Sequence, residues 1–119
     1  DALRPGGWFY NIDEMSTLYD DAYRRTLAYW VGHVDRARRG VPAELQPYAR
    51  AWCDRFEGWK RRNVEGAGGP KQPGDDIHES FVAQMQWLHD AGFVDVDLFA
   101  KFQLWSAIGG RKPPAGGTD

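Results

Sequence analysis

The stretch that decides the fold is LRPGGWFYNI, residues 3–12. It begins with a turn signal, because Pro5 fixes its own φ angle and the two glycines after it accept positive φ angles. Residues 8–12 are aromatic or β-branched except for Asn11, and they form one short apolar run. Runs that are apolar on both faces are typical of strands buried inside a parallel sheet. The stretch therefore predicts a turn and then a central strand, which needs further strands as neighbours.

A helical pattern follows this strand and extends to about residue 65. From about Ser16 to Arg39 the apolar residues recur at spacings of three and four, which predicts an amphipathic helix. Gly40 ends that helix, and Pro42 opens a second one at a position that needs no backbone donor. The second helix has a similar apolar stripe. We therefore expect residues 16–65 to form a helical hairpin, with the two stripes packed on each other.

A loop and a third helix come next. Residues 66–75 are rich in glycine and proline and predict a mobile loop. Asp76, with an acidic residue three positions later, predicts the start of the third helix, and Gly92 lies where a helix ends in a left-handed residue. This pattern puts His78 in the first turn of the helix and His89 in the last. Neither histidine is assigned a chemical role.

The remaining sequence predicts two strands. They cover residues 94–101 and 104–110, and the polar tail at residues 111–119 is expected to be flexible. Together with the strand at residues 8–12, the order is strand, helical hairpin, loop, helix, strand, strand. This order predicts an α/β fold in which three helices cover a small mixed three-stranded sheet.

Composition narrows the class of protein. At 119 residues the chain has room for one domain. Its 15 basic and 17 acidic side chains are mixed along the sequence, which argues against a nucleic-acid partner, since such domains usually have a basic stripe. Cys53 is the single cysteine, so an intrachain disulfide and a cysteine-built metal site are excluded. No apolar run approaches the roughly 18 residues of a membrane span, and we expect a cytoplasmic protein without membrane contact.

Two motifs resemble those of class I S-adenosylmethionine-dependent methyltransferases. The turn LRPGG at residues 3–7, followed by an aromatic strand, resembles the L-x-P-G-G turn into the fifth strand of that family. LHDAGF at residues 88–93 resembles the L-x-x-A-G-F sequence that closes the family's last helix, and the final strand ends in GGRK at residues 109–112. In the family, strands six and seven form a hairpin whose last strand inserts antiparallel between strands five and six. The resemblance implies that the chain is the C-terminal portion of such a Rossmann-like methyltransferase.

The resemblance also concerns the cofactor. The family's glycine-rich loop after the first strand, and the acidic residue after the second strand, have no counterpart in these 119 residues. S-adenosylmethionine is therefore the expected cofactor of the complete protein, and this chain alone is expected to bind none. We expect no methyl transfer without an N-terminal cofactor-binding half.

Three polar residues near the end of the first strand are candidate site residues. Ligands of open α/β sheets bind beyond the carboxyl ends of the parallel strands, so Asn11, Asp13 and Glu14 would face such a crevice. Asn11 is a candidate substrate contact. Asp13 and Glu14 are candidate bases for an acceptor hydroxyl or amine. Both acids equally fit a structural role in the first turn of a helix, where the helix dipole favours negative charge.

The helical hairpin supplies the other candidates. His33 is a third candidate base, although its place beside the apolar stripe also fits a partly buried or solvent-facing residue. Methyl transfer depends on positioning and on exclusion of water, which aromatic side chains of the hairpin could provide as a lid over the acceptor. These candidate substrate contacts are Tyr19, Tyr23, Trp30 and Trp59. The same aromatic stripe also suits the core of a hairpin.

Two other classes of function fit the sequence. One is a stand-alone module that dimerises, either through the hairpin or by strand exchange at a bare sheet edge. The other is a small-ligand-binding α/β protein with its own pocket. In the methyltransferase interpretation a small molecule is the favoured acceptor, and no metal ligands are expected.

Overall fold

The computed structural model describes residues 2–66, 69–73 and 75–116. The chain divides into two compact units, of which the first combines Asp1–Tyr23 with His78–Asp119 and the second is Arg24–Ile77. Parts of the predicted loop at residues 66–75 and of the predicted tail at residues 111–119 lie outside the described residues. Across the described ranges, no helix has both the length and the apolar character that crossing a membrane requires.

Within the described residues, three strands and three α-helices make up a small α/β fold. In chain order they are β1 (Trp8–Glu14), α1 (Asp20–Ala37), α2 (Gln46–Lys60), α3 (Phe81–Asp90), β2 (Val94–Phe102) and β3 (Trp105–Arg111). The first unit contains the sheet, whose strand order is β1-β3-β2. β3 is antiparallel to both neighbours, so the two outer strands are parallel to each other. The predicted three-stranded sheet is confirmed, but it is not mixed, because every hydrogen-bonded pair within it is antiparallel.

The hairpin between β2 and β3 has a two-residue turn, residues 103–104. Gln103 has a φ of 54°, the left-handed conformation that tight hairpin turns need. Leu104 is fully buried, and its carbonyl accepts a hydrogen bond from the Met15 amide at 2.8 Å. Met15 and Ile108 are buried in the core of the same unit. The turn between β2 and β3 therefore also fixes the segment that follows β1.

The glycine pair in β3 allows the sheet to pack closely. A Cβ atom on Gly109 would lie 2.5 Å from the Phe9 carbonyl oxygen and 2.8 Å from the Tyr10 ring. A Cβ atom on Gly110 would lie 3.1 Å from both Phe93 and the side chain of Val96. A separation of 2.5 Å is too short for two non-bonded heavy atoms. The Phe9 oxygen belongs to the backbone, so it cannot move aside as the end of a flexible side chain can. Gly109 is thus required by the approach of β1 to β3.

We expect Gly109→Ala to destabilise the chain by roughly 1–3 kcal/mol, the usual range for overpacking. Gly40→Ala is the matched control, because Gly40 has open space around its Cα and does not have a positive φ. Thermal unfolding followed by circular dichroism measures both variants. Equal midpoints for the two variants would contradict the close approach of β1 at Gly109.

The two ends of the first unit are hydrogen-bonded to each other. Gly6 N–H donates to the Lys112 carbonyl and Lys112 N–H donates to the Gly7 carbonyl, both at 2.9 Å. The Lys112 ammonium donates to the Leu3 carbonyl, also at 2.9 Å. Arg111 belongs to β3 instead of the expected tail. The turn before β1 therefore lies beside the residue that follows β3.

Two helices begin later than the sequence predicts. α1 starts at Asp20 instead of Ser16, and α3 starts at Phe81 instead of Asp76. The reason is a bridge between their leading segments: Ser16 N–H donates to the Glu79 carbonyl at 3.1 Å, which holds both segments extended. Ser80 then caps α3, since its hydroxyl accepts from the Ala83 amide at 3.1 Å.

The predicted end of α3 is confirmed. Gly92 has a φ of 86°, and Phe93 N–H donates to the Leu88 carbonyl at 3.0 Å. This six-to-one bond is the one that closes a Schellman motif. The turn directs the chain from α3 into β2.

The second unit is helical, as predicted. Its buried apolar residues are Leu27 and Val34 of α1 and Phe56 of α2. Phe56 stacks between Trp52 and Trp59, with ring centroids 5.4 and 5.5 Å away. α2 begins at Gln46 after a short 3-10 turn, and it continues into a π-helical turn at Arg61–Glu65.

Candidate functional site

The carboxyl ends of the two parallel strands meet at one edge of the sheet. Glu14, the last residue of β1, pairs with Trp105. Phe102, the last residue of β2, pairs with the same tryptophan from the other side. Ligands of α/β proteins bind at such edges, so the side chains here are the first candidates for a site.

A row of three ionisable side chains, Glu14, His78 and Tyr23, lies at this edge. His78 Nε2 is 2.9 Å from Glu14 Oε2, and His78 Nδ1 is 2.5 Å from the Tyr23 hydroxyl. The side chain of His78 is 5% exposed and that of Glu14 is 18% exposed. The contact with Glu14 is close but is not aligned as a hydrogen bond. The hydrogen bond at Nδ1 and the close approach of the Glu14 carboxylate to Nε2 together define the orientation of the imidazole.

Two carboxylates bear on how protons are arranged in this row, because oxygen atoms of Glu14 and Asp76 lie within 4.8 Å of a His78 ring nitrogen and of each other. A carboxylate beside Nε2 favours the tautomer with its proton on that nitrogen, and Nδ1 is then an acceptor for the Tyr23 hydroxyl. Burial, and secondarily the negative charge of Glu14, raise the pKa of Tyr23 to about 12. The phenol therefore keeps its proton well above neutral pH, and in the Nε2-protonated tautomer it donates a hydrogen bond to His78 Nδ1.

Backbone contacts hold the three segments that supply the row. Met15, the residue after Glu14, donates its backbone N–H to the Leu104 carbonyl. Ser16 donates its backbone N–H to the carbonyl of Glu79, the residue after His78. Tyr23 lies in the first turn of α1, and its amide donates to the Tyr19 carbonyl at 3.0 Å. The site is thus built where the end of β1, the start of α1 and the segment before α3 come together.

The predicted base Glu14 lies in the row, whereas Asp13 does not. Both acids belong to the end of β1, so the alternative that they open a helix is wrong. The Asp13 carboxylate is exposed and accepts a hydrogen bond from the Glu14 amide at 2.8 Å. The side chain of Asn11 has a different partner: its Nδ2 donates a hydrogen bond to Oε1 of Gln84, in α3, at 3.0 Å. Asn11 therefore links β1 to the helix that covers it.

The aromatic candidates of the hairpin fall in separate environments. Tyr23 lies in the row, and Tyr19 is exposed. Trp30 and His33 stack on each other with centroids 5.4 Å apart and an interplanar angle of 11°. Trp59 stacks on Phe56.

Trp30 and His33 also line a cavity in the second unit. Its volume is about 340 Å³, and its other lining residues are Val34, Ala37, Arg38, Val41, Ala49, Trp52 and Cys53. Most of this lining is apolar, and Arg38 is paired with Asp35 at 3.1 Å. The cavity has the size and character of a small-molecule pocket.

His78 is the residue that sequence reasoning missed. Its placement in a helical turn depended on a start at Asp76. Ser80, a preferred capping residue just before the apolar pair Phe81 and Val82, is a local signal that would have put the start later. The contact with Tyr23 has no such signal, because the two residues are 55 positions apart.

Known proteins do not identify the chain: no family model matches it, and no curated protein matches its sequence.

We expect the Tyr23 phenol to ionise near pH 12, against 10.0 for an ordinary tyrosine. Between pH 10 and about pH 12, Tyr23 keeps its proton in the folded chain and loses it in the unfolded chain. Tyr23 therefore contributes stability that is fully present below pH 10 and is lost as the pH rises to 12. Phenolate absorbance of the chain and of Tyr23→Phe, measured with their unfolding free energies, tests this. A stability difference that stays constant over this window would refute it.

Proposed function

We propose that the chain is the acceptor-site and lid region of a class I S-adenosylmethionine-dependent methyltransferase, active only together with a cofactor-binding half. The observation that carries the proposal is the strand order β1-β3-β2, with β3 antiparallel between two parallel strands. This is the order that the resemblance implies for strands five, seven and six. A hairpin strand that inserts in this way is a more specific feature than either motif alone.

The positions of the motifs support the same proposal. The turn at residues 3–7 leads into β1, and residues 88–93 close α3 and lead into β2. The GGRK segment at residues 109–112 ends beside the first of these turns, through the bonds of Gly6 and Gly7 to Lys112. Three segments that are far apart in sequence thus meet around one sheet, in the order that the family uses.

An exposed aromatic face on the sheet supports the proposal that a cofactor-binding half packs against it. Trp8 and Tyr10 stack with centroids 5.8 Å apart, and each also contacts Phe99 at 5.7 and 5.2 Å. All three rings are exposed, as is Ile12 on the same face of β1. Contiguous apolar surface of this kind marks an interaction site. A cofactor-binding half that continues the sheet beside β1 and covers this face would bury it.

We expect no binding of S-adenosylmethionine or S-adenosylhomocysteine to this chain alone, because its sequence has no counterpart of the family's glycine-rich loop after the first strand. Binding should appear when the chain is joined to the half encoded upstream of it. Calorimetric titration of both forms measures this. Saturable binding to the chain alone, or an upstream sequence without a glycine-rich loop, would overturn the proposal.

We expect Ile12→Lys to weaken association with that half, since the side chain is 72% exposed on the face to be covered. Tyr48→Lys is the matched control, because Tyr48 is 75% exposed in the second unit. Light scattering of the mixed halves measures association. If Ile12→Lys instead abolishes self-association of the chain, the result favours a stand-alone dimerisation module.

The second candidate function is binding of a small ligand by the chain itself. The cavity of about 340 Å³ in the second unit favours it. We expect Ala49→Phe to fill this cavity and weaken binding of an apolar fluorescent dye by about tenfold, about 1.4 kcal/mol. Ala51→Phe, at an exposed position of the same helix, is the control. Equal dye binding by both variants would count against the pocket.

A further inference from the structure

The Glu14–His78–Tyr23 row is assembled from three separate segments, and its two end members, Glu14 and Tyr23, are partly exposed. His78 is almost fully buried, and Tyr23 at the end of the row is partly exposed. Burying ionisable groups costs free energy unless their partners compensate it, and apolar side chains would fill the same space at lower cost. The row therefore suggests a chemical role, with Tyr23 as the group that meets a ligand.

The order of donors and acceptors in the row runs in one direction. In the tautomer with the proton on Nε2, the Tyr23 hydroxyl donates to Nδ1, and the carboxylate of Glu14 lies beside Nε2. A proton that leaves Tyr23 goes to Nδ1, and the imidazolium that forms is stabilised by the adjacent negative charge. The Tyr23 oxygen, having donated, can accept a proton in its turn. This is the arrangement of a general base that acts through a tyrosine.

We propose that Glu14, His78 and Tyr23 form a proton relay that deprotonates a methyl acceptor bearing an O–H or N–H group; this rests on the proposed methyltransferase function. The acceptor oxygen or nitrogen forms a bond to the methyl carbon of the sulfonium donor. The carbon–sulfur bond breaks, and its electron pair stays on sulfur as a thioether. The acceptor proton passes to the Tyr23 oxygen while the Tyr23 proton passes to His78 Nδ1. Glu14 is a positioning residue that stabilises the imidazolium.

The protonation pattern tests the relay in this chain without any activity. Nitrogen-15 NMR of the histidine rings, at a pH where His78 is neutral, should show the proton on Nε2 and none on Nδ1. Tyr23→Phe should shift the Nδ1 resonance by removing its hydrogen bond, and Glu14→Gln should lower the preference for the Nε2 proton. A proton on Nδ1 in the unaltered chain would overturn the relay, because Tyr23 could then not donate there.

Methyl transfer by the chain joined to its cofactor-binding half tests the catalytic consequence. His78→Gln and Tyr23→Phe should each lower kcat by about 10²–10⁴-fold, the range of general-base catalysis, and leave the KM for the donor unchanged. His89→Gln is the control, since its side chain is 75% exposed at the end of α3. Tyr23→Phe keeps the ring, so it remains informative if His78→Gln fails to fold.

The two proposals fail in distinguishable ways. If the joined protein transfers methyl groups and both variants keep the normal kcat, the relay is wrong and the methyltransferase function stands. If the joined protein binds no methyl donor, the methyltransferase function is wrong, and with it the reaction assigned to the relay.

Discussion

The pairing of β3 with both outer strands is the interaction on which the first unit depends. It makes β1 and β2 parallel and brings Glu14 and Phe102 to the same edge of the sheet. The pairing is possible because Gly109 has no side chain where the Phe9 carbonyl approaches. The turn into β3 then bonds to Met15 and fixes the backbone beside Glu14. A backbone requirement in the last strand thus determines where the candidate base of the first strand lies.

Local signals predicted the elements that local contacts stabilise. The hairpin strands and the end of α3 at Gly92 follow from strand propensity and from a glycine in the left-handed conformation. The starts of α1 and α3 could not be predicted, because the Ser16–Ser80 bridge joins residues that are distant in sequence. The sequence near Ser16 and near Asp76 is compatible with the start of a helix. The bridge nevertheless keeps both segments extended, so the helices begin after it.

The candidate site was predictable only in part. Glu14 follows the predicted strand and is the last residue of the observed β1, so its place at the carboxyl end was predictable, but nothing near it in sequence indicates His78. Asn11 has the residue type of a ligand contact, yet Gln84 is its partner, and that pairing depends on how α3 lies on the sheet. Side-chain chemistry can be read from sequence, whereas the assignment of partners needs the tertiary fold.

The pairing of the first strand with the last also constrains how the chain folds during synthesis. β1 emerges from the ribosome before its partner β3, and the helices and β2 are made between them. Until then β1 lacks its partner β3, while the helices of Arg24–Ile77 can already fold on local contacts. The apolar strand is therefore open to other pairings for as long as the synthesis of β3 takes.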